Sequence, residues 1–118
     1  MMKKILIIDD DKTFLFTVEA ILKEKGFVVF KAETATKGFV CMEQNAPDFV
    51  LLDINLPDKN GFDVLKILKK NKKYLKTPVF VITGDSTVQI DKAFELGADD
   101  CFFKPLNISE IIKRVEEI

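Results

Sequence analysis

The sequence predicts a doubly wound α/β fold of the (βα)5 type, in which helices cover both faces of one five-stranded parallel sheet. Two observations lead to this prediction. Five short apolar runs alternate with longer segments whose apolar residues recur at helical spacing. The runs are nearly continuous in Val, Ile, Leu and Phe, which is typical of strands buried on both faces. Strands that alternate with helices favour right-handed crossovers and therefore a parallel sheet between two helical layers.

The first half of the chain contains two such strand–helix units. KILIID at 4–9 predicts the first strand, and 12–25 predicts the first helix. One face of that helix carries Phe14, Val18, Ile21 and Leu22. Gly26 follows as a stop signal. A second strand is predicted at 27–32, and 34–45 is the helix with the weakest apolar pattern.

The second half repeats the alternation three times. Strands are predicted at 49–53, 79–83 and 100–104, and helices at 62–72, 86–96 and 107–118. The helix at 62–72 has an apolar stripe of Val64, Leu65, Ile67 and Leu68. Gly97 ends the next helix, and Asn107 or Ser109 is expected to cap the last one. The last helix repeats Ile108, Ile111, Ile112 and Val115.

Size and composition predict one soluble domain. The chain has 118 residues, of which 47% are hydrophobic, and its formal net charge is −1. This charge balance argues against a nucleic-acid or anionic-membrane surface, and no apolar run is long enough to span a bilayer. Without a linker or repeat, we expect a single domain over 1–118 with no output domain in the chain.

The scarcity of cysteine and histidine limits the chemistry. There is no histidine, so a Ser-His-Asp or Cys-His mechanism is excluded. Cys41 and Cys101 lie far apart outside any CxxC motif, which predicts two buried free thiols in a cytoplasmic protein. Chemistry must therefore depend on carboxylates, lysines, hydroxyls or a bound metal.

Reactive side chains end four of the five predicted strands. They are Asp9, Asp10 and Asp11 at the end of strand 1, Asp53 at the end of strand 3, Thr83 at the end of strand 4 and Lys104 at the end of strand 5. Ligands of such sheets bind outside the carboxyl ends of the strands, at the topological switch point. Each residue alone has a structural explanation, such as a helix cap. Converging carboxylates repel each other, however, and a divalent cation with oxygen ligands, Mg²⁺ above all, would relieve this repulsion.

The strand ends resemble those of response-regulator receiver domains, the phosphorylated modules of two-component signalling, which have a flavodoxin-like fold. The matching stretches are ILIIDDDKTF, APDFVLLDINLPDKNGFDVL, TPVFVITGDS and GADDCFFKPL. The resemblance implies that Asp53 is the phosphoacceptor. It further implies a Mg²⁺ site formed by Asp10 directly, Asp9 mainly through water, Asp53, and the backbone carbonyl of Asn55.

The same resemblance implies roles for the remaining strand ends. Thr83 would be the switch hydroxyl, and Lys104 would pair with the phosphoryl group before a cis peptide bond to Pro105. A sensor histidine kinase or histidine phosphotransfer protein would supply the phosphoryl group, and the surface around 83–104 would change. The domain would be no enzyme beyond its self-catalysed phosphorylation and dephosphorylation. It would act on a downstream protein or output domain, as a monomer or a phosphorylation-dependent dimer.

The sequence departs from the family pattern at Cys101, where receivers usually have Tyr or Phe. Phe102 and Phe103 could supply the missing bulk, but strand alternation points Phe102 to the opposite face. We therefore expect that a shift of Thr83 still occurs, while the 86–104 surface responds differently from that of other receivers. Asn55 and Asp85, two residues after the acceptor and the switch threonine, are small and polar, which predicts a short-lived phosphorylated state.

Three alternatives remain open at this point. Asp9, Asp11 and Thr13 match the D-x-D-x-T motif of haloacid-dehalogenase-like phosphatases, in which Asp9 would be the nucleophile. This interpretation assigns no role to Asp53. The acidic pair that follows the lysine in such phosphatases is also missing here, because Asp99 and Asp100 precede Lys104. A degenerate receiver, never phosphorylated and used only as an interaction module, is opposed by the intact set of acids together with Thr83 and Lys104, and a flat Mg²⁺ titration would support it. A flavodoxin is disfavoured because three acids after strand 1 would repel a flavin phosphate.

Overall fold

A computed structural model describes residues 2–84 and 87–117 of the chain. It contains five strands: β1 Lys4–Ile8, β2 Val28–Ala32, β3 Phe49–Asp53, β4 Val79–Thr83 and β5 Asp100–Phe103. The five helices are α1 Lys12–Glu24, α2 Ala35–Asn45, α3 Gly61–Lys70, α4 Thr87–Glu95 and α5 Ile108–Glu116. Strands and helices alternate along the whole described chain, which confirms the predicted (βα)5 order.

The strands form one parallel sheet in the order β2-β1-β3-β4-β5. The chain leaves β1 toward β2 on one side and later returns to place β3 on the other side of β1. The topological switch point therefore lies between β1 and β3, whose carboxyl ends carry Asp9 and Asp53. The fold thus brings together two carboxylates that are far apart in the sequence.

Two apolar cores cover the two faces of the sheet. Alternate residues of β1 belong to different cores: Leu6 and Ile8 face one, Ile5 and Ile7 the other. The first core packs against α2, α3 and α4, and the second against α1 and α5. Because both faces of the sheet are buried, the strands cannot alternate apolar with polar residues, which explains their continuous apolar runs.

Most local predictions are confirmed. Gly26 and Gly97 have φ angles of 94° and 100°, so both follow their helices in the left-handed region that favours glycine. The weakly patterned 34–45 segment does form α2. Its apolar pattern is weak because Gly38, which packs against Ile8, contributes no apolar side chain. The stripe prediction is wrong for Ile67, whose side chain is 44% exposed.

Both thiols are free, as predicted, but Cys41 and Cys101 are half-buried rather than fully buried. Asn107 caps α5, its side chain accepting a hydrogen bond from the backbone N–H of Ser109 at 3.1 Å. The first residue of the helix predicted at 86–96 and the last residue of the helix predicted at 107–118 lie outside the described residues. Within the described chain, we find no helix with the length and apolar character needed to cross a membrane.

Candidate phosphoacceptor site

The three aspartates after β1 occupy three different environments. Asp9 is fully buried, and its Oδ1 accepts a hydrogen bond from the backbone N–H of Asp11 at 2.9 Å. Asp10 is exposed. Asp11 is the N-cap of α1, and its Oδ1 accepts a hydrogen bond from the backbone N–H of Phe14 at 3.1 Å. Local backbone geometry therefore separates a buried acid, an exposed acid and a helix cap.

Asp53 ends β3 beside this segment and is 5% exposed. Its Oδ1 accepts a hydrogen bond from the backbone N–H of Asn55 at 3.2 Å. Asp9, Asp10 and Asp53, which we call the acidic cluster, each offer one carboxylate oxygen within 4.8 Å of the other two. Three carboxylates this close repel each other, so the cluster favours a bound or neighbouring cation.

Lys104 brings a positive charge to the acidic cluster from the end of β5. Its Nζ forms ion pairs with Asp9 Oδ2 at 2.8 Å and with Asp53 Oδ2 at 3.3 Å. The Lys104 side chain is 25% exposed, so water reaches one side of the ammonium group. The lysine therefore bridges two buried carboxylates.

Burial and the surrounding charges shift the pKa values of this group. Burial, together with the charge of Asp9, raises the pKa of Asp53, and the Asn55 N–H and Lys104 only partly oppose this. Burial disfavours the charged form of Lys104, but its hydrogen bonds and charge interactions with Asp9 and Asp53 outweigh burial and raise its pKa. Lys104 therefore remains a cation at neutral pH.

Thr83 ends β4 and is 1% exposed. Its backbone carbonyl accepts a hydrogen bond from the backbone N–H of Lys104 at 2.9 Å, which fixes the ends of β4 and β5 side by side. The Lys104–Pro105 peptide bond is cis, as predicted. Asp85, the second residue predicted to flank the acceptor, lies outside the described residues.

Sequence reasoning missed two residues that shape the acceptor loop between β3 and α3. The backbone N–H of Gly61 donates to the carbonyl of Ile54 at 2.7 Å, and a Cβ at this position would lie 2.4 Å from the carbonyl oxygen of Asp53. Asp58 accepts hydrogen bonds from the backbone N–H groups of Ala35 and Thr36, at 2.8 and 3.0 Å. The glycine before a helical pattern was a signal for the first feature, whereas nothing in the sequence pairs Asp58 with α2.

Cys101 and Phe102 point to opposite faces of the sheet, as strand alternation predicted. Cys101 packs against the core that faces α2, α3 and α4, whereas Phe102 packs edge-on against Phe80 in the other core, with ring centroids 5.6 Å apart. Phe102 therefore does not take the place of the missing aromatic residue. Burial raises the pKa of the Cys101 thiol to about 11.

Comparison with known proteins identifies the fold and the family together. The family model described as "Response regulator receiver domain" matches residues 5–116. The chain belongs to the response regulator receiver domain family. The cell cycle transcriptional regulator CtrA of Caulobacter vibrioides is 35% identical over 116 residues, which are 98% of this chain and 49% of CtrA. The chain thus spans about half the length of this relative.

Solved receiver structures agree with this assignment. A CheY-like receiver domain protein of Methanospirillum hungatei is 31% identical with a TM-score of 0.88, covering 99% of this chain and 93% of that one. A two-component response regulator of Clostridium difficile is 28% identical with a TM-score of 0.91, covering 98% and 94%. The predicted flavodoxin-like fold of receiver domains is confirmed.

The receiver assignment bears on the alternatives. The family match argues against the flavodoxin and haloacid-dehalogenase interpretations, and the environment of the D-x-D-x-T motif agrees. Asp11 is engaged as a helix cap, and Thr13 is exposed on α1. The roles of Asp9, Asp10, Asp53, Asn55, Thr83 and Lys104 stay predictions. The structure brings the first three together with Lys104, and it places Asn55 and Thr83 at the same edge.

Proposed function

We propose that residues 1–118 form one receiver domain in which Asp53 accepts a phosphoryl group. One observation carries this proposal: Asp53 shares the acidic cluster with Asp9 and Asp10 while its Oδ2 lies 3.3 Å from Lys104 Nζ. A nucleophilic carboxylate beside a fixed cation suits phosphoryl transfer, which depends mainly on positioning and on neutralising the oxygens of the transferred group.

The donor is a phosphorylated histidine of a sensor histidine kinase or a histidine phosphotransfer protein. A carboxylate oxygen of Asp53 attacks phosphorus and forms the O–P bond. The P–N bond to the donor imidazole breaks, and its electron pair stays on the imidazole nitrogen, which takes up a proton. Lys104 neutralises charge on the phosphoryl oxygens, and the backbone N–H of Asn55 orients the attacking carboxylate. Hydrolysis of the aspartyl phosphate, the domain's own reaction, returns Asp53.

The acidic cluster suits Mg²⁺ in its donor chemistry. It offers three carboxylate oxygens within 4.8 Å of one another, with no nitrogen or sulfur ligand among them. Asp10 would hold the ion directly, Asp9 mainly through water, and Asp53 and the carbonyl of Asn55 would complete the site. When bound, the ion would supply positive charge for the phosphoryl oxygens.

Phosphorylation would change the surface around 83–104. The product carries nearly two negative charges next to Lys104 and Thr83. The Thr83 hydroxyl would then hydrogen-bond to a phosphoryl oxygen, and the neighbouring surface would shift within a pre-existing two-state equilibrium. A downstream protein or an output domain would read that surface in the cytoplasm, without contact of the receiver with nucleic acid or a membrane.

Covalent labelling tests the proposal directly. The protein is incubated with acetyl phosphate and Mg²⁺, the acyl phosphate is reduced with borohydride, and the modified residue is identified by mass spectrometry. We expect modification of Asp53 that is lost in Asp53→Asn and without Mg²⁺. Modification of Asp9 would instead support phosphatase chemistry, and no modification together with a flat Mg²⁺ titration would indicate a degenerate receiver.

A further inference from the structure

The Lys104 ammonium group has a third neighbour, which the proposed mechanism does not use. The Nζ lies 4.6 Å from the centroid of the Phe14 ring. Phe14 sits in the first turn of α1 and is half-buried, packed against the core that faces α1 and α5. The ammonium therefore contacts an aromatic ring as well as the carboxylates of Asp9 and Asp53.

The ring and the carboxylates together restrict the lysine side chain. A lysine has a flexible four-carbon stem, and fixing it costs conformational entropy. The negative face of an aromatic ring attracts a cation within about 6 Å of the centroid, and more strongly when the cation is partly desolvated. The Lys104 side chain is only 25% exposed, so the ammonium group is partly desolvated and the attraction is stronger than at a fully exposed site.

Phe14 owes its own position to the helix start. Asp11 Oδ1 accepts the hydrogen bond from the Phe14 backbone N–H, which fixes the first turn of α1 beside the acidic cluster. The ring also lines an apolar groove shared with Lys104, Pro105 and Leu106. One short segment of sequence thus supplies the buried acid of the site and the ring beside its lysine.

We propose that Phe14 is a positioning residue for phosphoryl transfer to Asp53. Its ring holds the Lys104 ammonium at the acceptor carboxylate, so that the cation is in place before the phosphoryl group arrives. This inference rests on the proposed function of Asp53 and Lys104, and it assigns the aromatic character of Phe14, rather than its bulk, to the reaction.

Leucine and tyrosine substitutions at Phe14 separate the effect of the aromatic ring from the effect of side-chain volume. Phe14→Leu keeps an apolar side chain without a π face, and Phe14→Tyr keeps the ring. Phe16→Leu is the matched control, because Phe16 lies on the same helix and is 71% exposed. The rate of Asp53 modification is measured with acetyl phosphate, a donor too small to depend on a protein docking surface.

We expect Phe14→Leu to slow this reaction about three- to tenfold, in line with the strength of partly buried cation–π contacts. Phe14→Tyr and Phe16→Leu should stay within about twofold of the wild type, below the effect of even a weak cation–π contact. In a Lys104→Met background, Phe14→Leu should have little further effect, because a positioning residue acts only through the residue it positions. If Phe14→Leu does not fold, Phe14→Met serves as the second ring-free variant.

The NMR signals of the Lys104 ε-methylene protons provide a readout independent of the reaction. They should be shifted upfield by the ring in the wild type and in Phe14→Tyr, and not in Phe14→Leu. A wild-type rate in folded Phe14→Leu, or equal slowing with and without Lys104, would overturn the proposal. If wild-type Asp53 is not modified at all, the proposed function fails instead, and the NMR shift still reports whether the contact exists.

Discussion

Replacing Gly61 with alanine should destabilise the domain at the point where α3 meets the acceptor strand. An added Cβ would lie 2.4 Å from the Asp53 carbonyl oxygen, 2.5 Å from Ile54 Cα and 2.9 Å from the Ile54 carbonyl oxygen. All three are backbone atoms, so no side chain can rotate away to make room. The start of α3 must therefore move away from the end of β3.

The expected loss of unfolding free energy is about 3 kcal/mol. Overpacking a tight site costs about 1–3 kcal/mol, and contacts with rigid backbone place this case at the upper end. The hydrogen bond from the Gly61 N–H to the Ile54 carbonyl, 2.7 Å long, would be stretched or lost at a further cost of about 1 kcal/mol. The higher helix propensity of alanine offsets about 1 kcal/mol of this loss.

Urea unfolding followed by far-ultraviolet circular dichroism measures this loss. Gly84→Ala is the matched control, because a Cβ at Gly84 meets no atom within 4 Å and its φ angle is not in the left-handed region. Gly61→Ala should also slow modification of Asp53 by acetyl phosphate, since the displaced backbone includes that of Asp53 itself. An unfolding midpoint for Gly61→Ala equal to that of Gly84→Ala would refute the steric reasoning.

Three further predictions concern pH and the phosphorylated state. Hydrogen bonds from Ala35 and Thr36 hold the pKa of Asp58 at about 2, below its ordinary 3.8. The stability that Asp58 contributes is thus complete above about pH 4 and disappears toward pH 2, so urea unfolding should show the difference from Asp58→Asn shrinking across that interval. Because the pKa of the Cys101 thiol is about 11, its rate of alkylation by iodoacetamide should still rise with pH above pH 9, and a plateau there would contradict this. Phosphorylated Asp53 should hydrolyse rapidly at room temperature, and a half-life of many hours would count against an open, polar acceptor pocket.

The order of strands and helices was predictable because each element carries its own periodic signal. A strand buried on both faces must be apolar throughout, and an outer helix must present an apolar stripe, so the pattern reports the surroundings directly. The apolar pattern was weaker where close packing leaves no room for a side chain, as at Gly38 in α2. It was wrong for Ile67, an apolar residue on the solvent side of the α3 stripe.

The members of the site were predictable for a different reason. Parallel strands deliver their last residues to one edge, so Asp9, Asp53 and Lys104 had to lie near one another once the topology was known. The contacts among these side chains could not be predicted from the topology. Which carboxylate oxygen faces the lysine, and which ring packs beside it, depends on rotamers and on contacts between segments distant in sequence. The capture of Asp58 by the first turn of α2 is a contact of the same kind.

The division of labour among the three aspartates after β1 follows from these contacts. Asp9 is buried, with one oxygen bound to the Asp11 N–H and the other paired with Lys104, so it is sheltered from an incoming phosphoryl group. Asp11 is committed to its helix, and Asp10 faces water at the edge of the cluster. The burial of Asp9 and the capping role of Asp11 thus agree with the proposal that the nucleophile lies outside this segment. Asp53 is held in a similar way, by the Asn55 N–H and by Lys104, but its distance to the Lys104 Nζ is the longer one, 3.3 Å against 2.8 Å for Asp9. A weaker ion pair of this kind agrees with the proposal that Asp53, and not Asp9, is the carboxylate that attacks phosphorus.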